Sequence, residues 1–155
     1  MKLNINFQIK DGKKIISRDT KGYKVLLNRV TKEFTKIKLD IRFTVTIVIQ
    51  TNEKSALNAS GLNYRRRGIC YMKQGKITVW SFNCDNKHDQ VLAVLAHELG
   101  HLYDYYKLGH VAFRKLGSRK QELSADKFSF KMTQIEKSAS ITGKVRSIAA
   151  MNRSR

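Results

Sequence analysis

Apolar and polar residues alternate from the start of the chain. Leu3, Ile5, Phe7 and Ile9 take every second position, the period of a strand with one buried face. The period then lengthens: Val25, Leu26, Val30, Phe34 and Ile37 recur at helical spacing among lysines and arginines, which predicts a helix within 21–38. Ile41–Gln50 is rich in β-branched and aromatic residues and predicts a strand. Residues 52–64, with Asn, Ser and Gly61, read as a loop. Gly68–Met72 and Lys76–Phe82 flank Gln74-Gly75 in the pattern of a hairpin. From Asn86 the helical period returns through Val91, Leu92, Leu95, Leu99, Leu102, Tyr103 and Tyr106, with Gly109 as C-terminal cap, a helix of about six turns. Another helix is predicted after Ser118, with Gln121 completing a capping box, and runs to about Lys137. The order strand, helix, three strands, helix, helix predicts an α+β domain over 1–137. The polar, basic tail 138–155 has at most a short helix at Val145–Met151.

Composition narrows the class. The chain has 155 residues, 41% of them apolar, enough for one domain with a core. The absence of proline and the nine glycines exclude collagen-like and Pro-rich classes. No apolar run nears the ~18 residues of a membrane span. The start lacks the apolar segment of a signal peptide. With only Cys70 and Cys84, the expectation is a reduced, intracellular, cytoplasmic protein with free thiols. Lys and Arg number 31 against 12 Asp and Glu, a net charge of +19, which suits nucleic acid, phospholipid headgroups or another polyanion as partner. Residues 85–116 are nearly neutral, so this charge surrounds them instead of covering them.

That neutral segment holds the chemistry. His97-Glu98-Leu99-Gly100-His101 is H-E-x-x-H. On a helix, positions i and i+4 project from one face a turn apart, so His97 and His101 can share one zinc ion. Glu98 can reach a water on that ion and act as base. Gly100 in mid-helix costs roughly 1 kcal/mol relative to alanine, which implies close approach by another element. Further on, Glu122-Leu123-Ser124-Ala125-Asp126 places two carboxylates at i and i+4. Glu122 can be the third zinc ligand, and Asp126 can accept a hydrogen bond from the far nitrogen of His97.

His97–His101 followed by the Glu122–Asp126 pair resembles the gluzincin metallopeptidases. The wording HELGH…ELSADKF is most similar to the catalytic cores of HtpX and CAAX-processing peptidases, of soluble minigluzincins and of ImmA/IrrE-type peptidases. The resemblance covers about 78–133. It implies a minimal zincin fold: a small, mostly antiparallel sheet with a backing helix, an active-site helix and a glutamate helix. It also implies one catalytic Zn2+ on His97, His101 and Glu122, Glu98 as general base and acid, and Asp126 orienting His97. It further implies an edge strand above the active-site helix that pairs with extended substrate, here Ile77, Thr78, Val79 and Trp80. The implied activity is hydrolysis of peptide bonds in a protein or peptide substrate, without a membrane span. A metzincin would need glycine at 104 and histidine at 107, where this chain has Asp104 and Lys107.

Two alternatives stand beside this reading. Gly109-His110…Phe113-Arg114-Lys115-Leu116 resembles a stretch of SprT-like proteases, which act on DNA-associated proteins. That would make His110 the third ligand, although Val111 stands where that family has glycine. The other is a basic nucleic-acid-binding protein with a structural zinc site. Tyr103, Tyr105, Tyr106 and His110 are candidates to stabilise an oxyanion, and the tail 138–155 is a candidate to block the cleft. His88 reads as a surface residue, and Arg65-Arg66-Arg67 as a solvated loop.

Overall fold

The computed structural model describes residues 1–52 and 66–135. In chain order they form β1 (Lys2–Asp11), β2 (Lys14–Ser17), α1 (Lys24–Phe34), β3 (Arg42–Gln50), β4 (Gly68–Tyr71) and β5 (Lys76–Trp80). A 3-10 turn (Ser81–Cys84), α2 (His88–Leu108) and α3 (His110–Thr133) complete the order. The class is α+β: five strands in the order β2-β1-β3-β5-β4 with three helices.

The outer pairs of the sheet, β1–β2 and β4–β5, are antiparallel. The inner pairs, β1–β3 and β3–β5, are parallel, so the mostly antiparallel sheet holds only at the margins. For β1 and β3 the reason is connectivity: after the β2 hairpin, α1 carries the chain back to the start of β3, so β1 and β3 run the same way. The apolar pattern does not predict β2, which pairs with β1 in a hairpin, although Asp11-Gly12 is a turn signal. Gly12 sits at φ +62, and the Gln50 amide clamps it, accepting from its N–H and donating to its carbonyl.

Alternation sets the core. Phe43, Val45, Ile47 and Ile49 of β3, with Ile77 and Val79 of β5, join one cluster with Leu26, Val30 and Phe34 of α1 and Val91, Leu95 and Leu99 of α2. Asn4, Asn6, Thr44, Thr46 and Thr78 take the intervening positions and remain exposed or partly so. Tyr103 lies between Phe34 and Phe128, with ring centroids 5.3 and 5.2 Å away, and so ties α1, α2 and α3 together. Glu33 adds an ion pair to Lys131, and Arg29 donates to the Met132 carbonyl.

α3 begins nine residues before its predicted start. Gly109 (φ +87) turns the chain out of α2, and Gly117 (φ +80) breaks α3 internally, so the predicted helix is its second half. Gln121 does not complete a capping box, because its amide donates to the Phe113 carbonyl across the break. The predicted loop beyond Asn52, and the tail 138–155 with its proposed blocking role, lie outside the described residues. Among the described residues no helix is long and apolar enough to cross a membrane. Cys70 and Cys84 are free thiols, and burial pushes the Cys84 thiol up to about 12.

Candidate metal centre

α2 is buried over most of its length, with Leu95, Leu99 and Leu102 fully inside the core. Its histidine face therefore meets α3 and not bulk water. Gly100 makes the close approach possible. A Cβ there would lie 3.0 Å from Phe128 Cβ and 3.1 Å from Ala125 Cα of α3. The close approach that the sequence implies is thus present, and it brings Glu122 and Asp126 onto the two histidines.

The resulting group is tight. One donor atom each from His97, His101 and Glu122 lies within 4.8 Å of the others. Glu122 Oε1 is 3.3 Å from His97 Nε2, and Oε2 is 2.5 Å from His101 Nε2. The longer distance is about that between two ligands of a tetrahedral zinc with bonds of ~2.0–2.1 Å. The donor set of two imidazoles and one carboxylate fits zinc, and leaves room for a fourth, exchangeable ligand. The far nitrogen of His97, Nδ1, lies 2.9 Å from Asp126 Oδ1, with both residues buried. These are the same two residues that the sequence pairs.

The charges of these buried residues act on one another. Burial works against charge on His97, yet Asp126, Glu122 and Glu98 raise its pKa to about 10. Burial also disfavours the charged Glu122, but hydrogen bonds from His101 and His97 hold its carboxyl well below the usual range. Glu98 is 8% exposed, and burial pushes its carboxyl up while His97 and His101 pull it down. A carboxylate raised in this way is a better base than an exposed one.

Glu98, His101 and Glu122 share an open cleft with Arg66, Gly68, Ile69, Cys70, Met72, Phe113 and Gln121. The strand beside them is β4, not β5. Ile77, Thr78, Val79 and Trp80 lie on β5, which pairs with β3 on one side and β4 on the other. Its main chain has no free edge, so these four residues cannot add a substrate strand. Among the described residues β4 is the outer strand at this end of the sheet. It lies directly against α2: a Cβ on Gly68 would come within 2.7 Å of Val94 Cγ1 and 3.1 Å of Glu98 Cγ. The sequence pointed to Gly68–Met72 as a strand but gave no signal that it, and not its partner, was outermost.

The remaining candidates fall elsewhere. His110 opens α3, is exposed and lies edge-on to Tyr105 at 5.6 Å, outside the ligand group. Its role as third ligand is therefore not supported by geometry. Tyr103 is a core residue, Tyr106 packs on Phe43 and Tyr105 on Phe113. None of these tyrosines, nor His110, lines the cleft. His88 is exposed but bonds through Nε2 to the Gly22 carbonyl, fixing the start of α2 to the β2–α1 loop. Arg66 enters the cleft, which its place in a basic run did not reveal. Compared with protein-family models, curated proteins and solved structures, the chain has no match.

Proposed function

We propose that this protein is a zinc-dependent metallopeptidase of gluzincin type. The observation that carries the reading is the convergence of His97, His101 and Glu122, with Glu98 beside them in a cleft bordered by an edge strand. These three residues would hold the metal. Bound zinc would supply a Lewis acid for the scissile carbonyl and lower the pKa of a water from ~15.7 towards ~7. Glu98 would be the general base and acid, taking a proton from the attacking water and passing it to the leaving amine. Asp126 keeps the His97 proton on Nδ1, so Nε2 presents its lone pair to the site. The outer edge of β4, unpaired among the described residues, would align an extended peptide across Glu98. No covalent enzyme intermediate is needed.

Two further features support this over a purely structural zinc site. Among the described residues no fourth His, Cys, Asp or Glu joins the group, whereas a structural site closes with four protein ligands. A buried carboxylate placed beside the ligands, as Glu98 is, has no structural purpose that an apolar residue would not serve better. The net charge of +19 suits a substrate held on nucleic acid or another polyanion. Incubating the protein with a peptide library, with and without zinc chelation, tests the reading. Chelator-sensitive cleavage at defined bonds is expected, and no cleavage of any peptide by zinc-loaded protein would oppose it. If a polyanion recruits the substrate, binding to duplex DNA weakens steeply between 50 and 200 mM salt.

A further inference from the structure

The metal centre accounts for one outer nitrogen, that of His97, and leaves the other unexplained. Among the described residues, His101 Nδ1 is buried and has no hydrogen-bond partner. Asp104 Oδ2, on the same helix, is also buried and has none among them. Asp104 is only 8% exposed, unusual for a carboxylate. The two residues are three apart on α2, so their side chains are neighbours on one face. Burial pushes the Asp104 carboxyl up, while the Ser124 hydroxyl of α3 and the His101 charge pull it down.

These atoms are complementary. If His101 binds a metal through Nε2, the nitrogen that faces Glu122, its ring is neutral and its proton sits on Nδ1. A buried N–H then lacks an acceptor, beside a buried carboxylate oxygen that lacks a donor.

We infer that Asp104 is the positioning residue for His101, its Oδ2 accepting the Nδ1–H through one bridging water while Ser124 holds the carboxylate from α3. Each ligand imidazole is then backed by its own carboxylate, His97 by Asp126 of α3 and His101 by Asp104 of α2. The inference rests on the metal-centre reading and extends it to H-E-x-x-H-x-x-D. Asp104 touches neither metal nor substrate; it acts through His101 alone.

The test measures zinc affinity by chelator competition in wild type, D104A, D104N and S124A, together with the His101 tautomer by nitrogen NMR of labelled histidine. Wild type binds zinc with His101 protonated at Nδ1. D104A weakens zinc about 10–100-fold and shifts the His101 signal towards mixed tautomers, leaving His97 in place. D104N, which keeps an acceptor oxygen without the charge, falls between wild type and D104A, and S124A lies nearer wild type. D104A with wild-type affinity and an unchanged His101 signal overturns the inference while leaving the metal centre intact. If D104A does not fold, D104N decides: wild-type affinity with an unchanged tautomer overturns the inference, and weaker binding with a shifted His101 signal supports it. Wild type without zinc affinity overturns the metal centre itself, and this inference with it.

Discussion

Asp126 Oδ1 stands 2.9 Å from His97 Nδ1, and the two residues are 4% and 2% exposed. A buried imidazole held this way has one tautomer and one orientation, and its Nε2 faces Glu122. Asp126→Ala leaves the His97 N–H without its acceptor. The expected cost is about 1–3 kcal/mol of folding stability, with zinc binding weakened about 10–100-fold. Thermal unfolding and chelator competition check both.

Glu122 and His110 make opposite predictions for the third ligand. Glu122→Ala is expected to lose stoichiometric zinc and activity. His110→Ala, altering an exposed residue outside the ligand group, is expected to keep both. Metal content by elemental analysis separates them, and zinc lost in H110A but kept in E122A would reverse the assignment.

Close backbone approach builds the site at two glycines. Gly100→Ala places a methyl 3.0 Å from Phe128 Cβ and 3.1 Å from Ala125 Cα, and backbone cannot give way as a flexible side chain can. The expected loss is about 1–3 kcal/mol, less the alanine's own helical preference. Gly68→Ala would drive β4 away from Val94 and Glu98. Its effect is expected mainly in the KM for peptides, with zinc content retained. Steady-state kinetics beside metal analysis tests this.

Zinc uptake is expected to depend on pH with a definite sign. In the metal-free protein the His97 pKa is raised from 6.5 to about 10. A group raised on folding stabilises the fold fully below its unfolded pKa, and that stability is lost as pH rises through the folded value. Metal-free protein should therefore lose stability from about pH 7 towards pH 10. Zinc needs the deprotonated nitrogen, so binding expels a proton in this window and affinity rises about tenfold per pH unit. Calorimetry in buffers of different ionisation enthalpy counts the proton, and a pH-independent affinity would contradict this coupling.

The site was more legible in the sequence than the sheet around it. His97, His101, Glu122 and Asp126 lie at i, i+4 spacings, which helix geometry converts directly into shared faces. Gly100 signalled the approach of α3 for the same local reason. Strand order is not local. The placement of β5 inside and β4 outside depends on which strand pairs with β3, and both segments have similar apolar patterns. The parallel β1–β3 pairing likewise follows from the α1 crossover and not from either strand's own residues. The helical turn at His110–Leu116 is hidden in the sequence because glycines at 109 and 117 bracket it, and both have positive φ. Asp104 carried a usable signal, three residues after His101 on one face, but a lone carboxylate on a helix is usually solvated. Only its burial among unpartnered atoms set it apart.

The most direct measurement compares wild type with Glu98→Gln for zinc content and for cleavage of casein. Glu98 lines the cleft beside His101 and Glu122 but lies outside the ligand group, so the substitution should leave the metal bound. Zinc in both proteins, with cleavage only by wild type, is the result this account predicts. Cleavage by E98Q at the wild-type rate, or wild type that binds no zinc, would contradict it.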